Sequence, residues 1–220
     1  IRIDGAGKKV TRSDNCRVSD LSVSSDNLTF TYEAKSLPYP IDTSYYDNEK
    51  HTQADALSVI PFMDEMNYEG LSVSGLSDGY YGLTIGGEFI GRFTARELER
   101  GINMALLQNT PQYKQAMKIR QMNEERWLKE RKMREFYWVE YNLMRKTGML
   151  WACNEAAVDT LRKYRPHDIF LQWNGALWLQ YMHKGIREDC VNEQQDLVNQ
   201  IYEQNKPIPL QIEIKKFTDL

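Results

Sequence analysis

Cysteine and histidine are scarce in this 220-residue chain, and their placement excludes most metal and thiol chemistry. Cys16, Cys153 and Cys190 show no CxxC spacing, and His51, His167 and His183 are scattered, without HExxH or paired-ligand spacing. Zinc sites and thioredoxin-like centres need ligands or thiols a few residues apart, so no metal is expected, and no cofactor either. The odd cysteine count leaves at least one thiol unpaired within the chain, and buried free thiols are the plain expectation. Long apolar runs are also absent: none approaches the ~20 residues of a membrane-spanning helix, so no membrane span is expected. Nor does one sign of charge dominate. Twenty-eight Lys and Arg against 31 Asp and Glu leave a net charge of −3, no general basis for nucleic-acid binding. The local surplus of eight basic over four acidic residues in Lys114–Glu135 reads as a solvated helix face.

Catalytic words are missing too. There is no GxSxG elbow, and Gly5-Ala6-Gly7-Lys8-Lys9 lacks both P-loop spacing and the following Ser or Thr, so it reads as a turn between strands. Pro166-His167-Asp168 offers a base beside a carboxylate, but Asp168 or His167 at a helix start is the simpler account. An independent hydrolase built on His51 or His167 with nearby carboxylates remains a third-ranked reading.

What is present is a globular pattern, 41% apolar and 11% aromatic, in a chain long enough for one large domain or two small ones. The first ninety residues favour strands. Leu21 and Val23, then Leu28, Phe30 and Tyr32, alternate with polar residues around Ser25-Asp26-Asn27, the period-two signature of a hairpin. Residues 36–56 hold two prolines and no periodicity, so a long surface loop is expected. Strands are expected at Leu57–Ile60, Leu71–Leu76, Tyr80–Ile85 and Glu88–Phe93, the last two joined at Gly86-Gly87, whose glycines tolerate a tight turn.

Helix then takes over. Thr94 and Glu97 form a capping box, with Phe93 placed to pack on Leu98, and that helix is expected to run to about Gln108. Thr110-Pro111 starts a new one, which nothing interrupts until Thr147-Gly148. About 35 residues at ~1.5 Å each make a rod of ~50 Å. Its middle is charged and its second half aromatic, so the middle is expected to meet water or another domain and the second half a helical core. Further helices are expected over Asn154–Tyr164, from Pro166 through Tyr181, and over Ile186–Asn205. After Pro207 and Pro209, Leu210, Ile212 and Ile214 alternate with polar residues. A lone strand is not stable, so this one should return to the amino-terminal sheet. The fold class is therefore α+β: an antiparallel, sandwich-like sheet completed by the last strand, with an inserted helical region. Its parts are 1–93 plus 208–220, rich in β, and 94–207, helical, packed as one interlocked unit.

Residues 71–116 carry the most specific signal. The words GLSDGYYGLTIGGEFIGRFTARELERGINMALLQNTPQY, with Gly101-Ile102-Asn103-Met104-Ala105 and Thr110-Pro111, resemble the carboxy-terminal part of a bacterial branch of SGNH (GDSL-type) hydrolases. IRIDGAGKKV, CRVSDLSVSSDNLTFTYEAKSLPYPI and the closing PLQIEIKKF fit the same resemblance more loosely. The four catalytic blocks of that superfamily (GDS, a glycine, an asparagine and DxxH) have no counterpart here. The resemblance implies a non-catalytic module of an exported acyl or carbohydrate esterase. Its partner would be an SGNH catalytic domain of the same polypeptide, which it braces or whose entrance it shapes. The opening strand IRID leads to the same expectation of a preceding domain. Thr94, Glu97, Gly101, Asn103, Thr110 and Pro111 are its structural motif residues. The alternative is a carbohydrate-binding module, with Tyr45, Tyr46, Tyr80 and Tyr81 as a stacking platform and Trp173 and Asn174 as further candidates. Trp173 and Trp178 otherwise read as core.

Overall fold

Alternation of apolar residues builds the sheets. The structure, a computed structural model, describes residues 1–44 and 50–217. They divide into two compact units, a sheet unit (1–120 and 204–217) and a helical unit (121–203). In the sheet unit, β1 (Arg2–Asp4), β2 (Lys9–Arg12), β3 (Cys16–Val23) and β4 (Asn27–Ala34) are followed by a short helix α1 (Phe62–Glu65). Then come β5 (Gly70–Ser74), β6 (Tyr80–Ile85), β7 (Glu88–Thr94), helix α2 (Ala95–Arg100) and the two-residue strand β8 (Ile102–Asn103). Helix α3 (Pro111–Val139) begins in this unit. The helical unit continues with α4 (Glu155–Tyr164), α5 (Ile169–Tyr181) and α6 (Lys184–Gln204), and β9 (Leu210–Lys216) closes the chain.

Two sheets result. One has the order β2-β1-β5-β8 and is mixed, because β1 and β5 run parallel. The other, β3-β4-β9-β6-β7, is antiparallel throughout. The last strand does return: β9 lies between β4 and β6, with Ile212 opposite both Phe30 and Ile85. Leu28, Phe30 and Tyr32 on β4 and Leu210, Ile212 and Ile214 on β9 all face the core, as period-two alternation requires. The boundaries at 120/121 and 203/204 differ from those drawn on sequence at 93/94 and 207/208. Residues 95–106 pack with the sheets: Ala95, Leu98 and Met104 belong to their core.

Three local expectations are corrected. Leu57–Ile60 is not a strand: Gln53–Ser58 forms a 3₁₀ turn, opened by a capping box of Thr52 and Asp55, and Val59 beyond it is 81% exposed. Helix α2 stops at Arg100 rather than near Gln108, because Gly101 takes φ +99° and turns the chain into β8, which pairs with β5. The long helix does not stay α to Lys146: Glu140–Met144 widens into a π turn before Gly148 (φ +74°) ends it.

In the helical unit, Phe136, Val139, Met144, Leu161, Trp178 and Cys190 form the core. Asp168, not Pro166, starts α5: its carboxylate accepts from the amides of Phe170 and Leu171 at 2.8 and 3.1 Å. Trp173, read as core, is 65% exposed, whereas Trp178 is fully buried. Five residues along a helix of 3.6 per turn place them on opposite sides. Glu140 is also buried. Its two oxygens accept from Trp178 Nε1 and from the Trp151 amide, each at 2.8 Å, and so hold the π turn to two other segments.

Two outcomes follow. Replacing Glu140 by alanine strands both donors and opens a cavity, so urea denaturation should show a loss of about 2–5 kcal/mol, with Glu140→Gln milder. In the capping box of α2, Thr94 Oγ1 accepts from the Glu97 amide at 3.1 Å, while Glu97 accepts from the Thr94 amide at 2.7 Å. Thr94→Ala should cost about 0.5–2 kcal/mol. The Thr94 backbone and side-chain hydrogen bonds hold the Glu97 carboxyl below its usual range. Its stabilisation is thus present above the ordinary carboxylate pKa and is lost as pH falls through the lowered one. Melting temperatures of Glu97→Ala and the parent should differ at pH 7 and converge in strong acid.

Candidate functional site

The sheet unit contains a recess suited to a small molecule. It is a cavity of about 610 Å³ bordered by β1, β4, the residues leading into β5 and the end of α2. Glu69 is its central group. The backbone of Glu69 is clamped, its amide donating to Asn103 Oδ1 and its carbonyl accepting from the Met104 amide, both at 2.8 Å. Asn103 completes the clamp by donating to the carbonyls of Met63 and Asn67 at 2.8 and 3.1 Å.

The side chain of Glu69 is half-buried, and its neighbours favour one oxygen. Tyr32 Oη donates to Oε1 at 2.9 Å, and the Gln112 amide donates to Oε1 at 3.2 Å and to Oε2 at 3.4 Å. Burial pushes the Glu69 carboxyl up, against the downward pull of those hydrogen bonds. Burial, together with the Glu69 charge, pushes the Tyr32 hydroxyl up, so Tyr32 remains a donor. Burial likewise raises the Cys16 thiol at the cavity edge. A protonated thiol and a protonated phenol are poor nucleophiles. Among the described residues no group of three or more His, Cys, Asp or Glu is placed to hold a metal ion, and no helix is long and apolar enough to cross a membrane.

The residues singled out on sequence do not form the wall of this cavity, apart from Gly101 at its rim. Tyr45 and Tyr46 lie outside the described residues. Tyr80 and Tyr81 are adjacent on β6 and therefore point to opposite faces. Tyr80 is exposed with the Arg92 guanidinium 3.9 Å from its ring centre, while Tyr81 is in the core, its hydroxyl donating to the Ser77 carbonyl at 2.9 Å. Tyr81 therefore offers no ring to a ligand. On α5 of the helical unit, exposed Trp173 meets Phe170 edge-on, with no other ring contact among the described residues, and Asn174 is half-buried. Thr94, Glu97, Gly101 and Asn103 are the joints described above. Buried Thr110 donates to the Leu107 carbonyl at 2.9 Å ahead of Pro111, the first residue of α3. Of the three thiols, only Cys190 is buried, which corrects the expectation of buried thiols. Cys153 is exposed with its sulfur 3.4 Å from His183 Nδ1. Glu69, Tyr32 and Tyr68 escaped sequence reasoning because nothing in Tyr68-Glu69-Gly70 marks a carboxylate as buried. The available signal was a glutamate directly ahead of an apolar strand.

Comparison with known proteins gives the chain a context. A family model described as the diltiazem deacetylase C-terminal helical domain matches residues 117–206. The solved structure of BT4096, a gut microbial diltiazem-metabolizing enzyme, superposes with a TM-score of 0.91 at 34% sequence identity. That match covers 98% of this chain and 49% of BT4096, so the chain spans about half the length of that protein. No curated protein matches the chain. These matches correct the resemblance drawn on residues 71–116: the chain is similar to a diltiazem-metabolizing enzyme and to the deacetylase C-terminal helical domain, not to the C-terminal region of an SGNH hydrolase.

Proposed function

We propose that the chain is an accessory module of an ester-cleaving hydrolase, working beside a catalytic portion of the same polypeptide. The observation that carries this reading is 34% identity over 98% of the chain to a metabolizing enzyme twice as long, joined to a match to a deacetylase C-terminal domain. A bracing role is favoured by α5. Ile169–Tyr181 contains no charged residue and leaves Ile169, Phe170 and Trp173 exposed. An uncharged apolar face with protruding aromatics has the composition of an interface core. The occupant fitting that face is the catalytic portion, which in BT4096 has as much chain again to supply it. The tyrosine-platform reading is not retained, because Tyr81 is in the core.

The test is hydrolysis of p-nitrophenyl acetate and of diltiazem by the 220-residue chain alone and by the encoded polypeptide that contains it. The chain alone should release acetate no faster than buffer, and the encoded polypeptide should turn over. Phe170→Asp with Trp173→Asp in that polypeptide should cut turnover at least about tenfold, the effect of ~1.4 kcal/mol. Hydrolysis by the isolated chain, or unchanged turnover in the double variant, would overturn the corresponding half of the proposal.

A further inference from the structure

The cavity of the sheet unit has a built floor. Tyr68 is 58% exposed, and its ring lies over Gly70 and Gly101. A Cβ at Gly70 would stand 2.4 Å from Tyr68 Cε1, and one at Gly101 would stand 3.7 Å from its hydroxyl. Only glycine at position 70 lets the ring settle there, and Tyr68 lines the cavity. Beside it, Glu69 Oε1 is occupied by Tyr32 and Gln112, whereas among the described residues Oε2 has the 3.4 Å contact from Gln112. A carboxylate oxygen accepts about two hydrogen bonds, so Oε2 retains capacity.

Charge selects the ligand. Three arginines (Arg2, Arg12 and Arg100) and three carboxylates (Asp14, Glu69 and Glu99) border the cavity, Arg12 and Asp14 being paired with each other. A cation would face the arginines, and an anion would face the half-buried Glu69. A neutral molecule meets neither penalty and can use both signs, each hydroxyl donating to a carboxylate and accepting from a guanidinium. Small-ligand sites usually enclose about 300–1,000 Å³, so a single ring of sugar size fits with room for water. An aromatic ring beside polar groups is suited to the C–H face of such a ring.

We propose that this cavity binds a neutral polyhydroxylated ring of monosaccharide size, stacked on Tyr68 with its hydroxyls bonded to Glu69. None of the tyrosines put forward on sequence takes part. The proposal does not rest on the hydrolase reading, and either can fail without the other.

Ligand-observed saturation-transfer NMR tests it with glucose, galactose, xylose and N-acetylglucosamine. At least one should bind saturably with Kd of about 1–10 mM, the range of a small polar ligand. Tyr68→Ala and Glu69→Ala should each weaken that binding at least about tenfold, or 1.4 kcal/mol. Tyr68→Phe should retain it, and Tyr80→Ala and Trp173→Ala should leave it unchanged. Thermal melting verifies the fold of each variant, and Glu69→Gln replaces Glu69→Ala if the latter does not fold. No saturable binding by any of the four sugars would overturn the proposal. So would binding that survives loss of both Tyr68 and Glu69, or tighter binding of glucuronate or glucosamine than of their neutral parent.

Discussion

The sheet unit depends on a strand that arrives last. Without β9, the hairpins β3–β4 and β6–β7 would each present an unpaired inner edge, and an isolated two-stranded hairpin is marginal in water. β9 pairs with both and sets three aliphatic side chains, Leu210, Ile212 and Ile214, into the core between them. Burying each contributes roughly 1.5–3 kcal/mol. Closing a flexible loop of about 115 residues, from β7 to β9, would cost only about 4 kcal/mol, because that entropy grows with the logarithm of length. A helical excursion of this size is therefore tolerated within one sheet. Its two ends are tied in the sheet unit: Gln115 on α3 donates to the carbonyls of Gln204 and Lys206, both at 2.8 Å.

Two carboxylates show how the same group serves different ends. Glu140 spends both oxygens on its own unit, one on an indole and one on a backbone amide, and is closed to solvent. It is structural by saturation. Glu69 is held as firmly at its backbone, by Asn103 and Met104, yet its partners crowd one oxygen, and the residue lines the cavity. Burial raises its carboxyl, a standing cost that hydrogen bonds from Tyr32 and Gln112 only partly offset. A half-buried acceptor with unused capacity on a cavity wall is the feature on which the binding proposal rests.

Legibility from sequence followed the range of the forces involved. The β6–β7 hairpin, the Thr94–Glu97 box and the return of β9 were readable, because alternation and capping act over a few residues. Leu57–Ile60 misled because four apolar or small residues fit a strand as well as a turn, and only Thr52 and Asp55 decide between them. Gly101 was visible, but the reading ran the helix through it. Gly101 ends α2 by a local rule, whereas the pairing of Ile102 and Asn103 with β5, about thirty residues upstream, is one that no local rule contains. The cavity was hidden for the same reason. Tyr68, Glu69 and Gly101 converge through a strand pairing, and the resemblance drew attention to Gly101 and Asn103 as words rather than as a clamp around Glu69.

Among the exposed apolar side chains of the helical unit, Trp151 and the group Ile169, Phe170 and Trp173 on α5 are not equivalent. Trp151 is part exposed and holds φ +62°, a strained conformation for a bulky side chain, but its neighbours account for it. Glu140 fixes its amide, and Phe136, Tyr137 and Tyr141 surround its indole at centroid distances of 6.3, 6.0 and 5.9 Å. The strain is over-determined from within. Along α5 no such account exists. Phe170 rests on Trp138 at 5.2 Å, but Ile169 and Trp173 project beyond it, and the helix has no charge to keep that face in water. The outer side of α5 also carries exposed Gln172 and Gln180, but an uncharged helix with protruding apolar residues is suited to a second packed layer. The first is the core that holds Leu171 and Trp178. The other is the place for the catalytic portion proposed above, and the asymmetry between Trp151 and Trp173 is the reason to seek the interface on α5 rather than at the π turn.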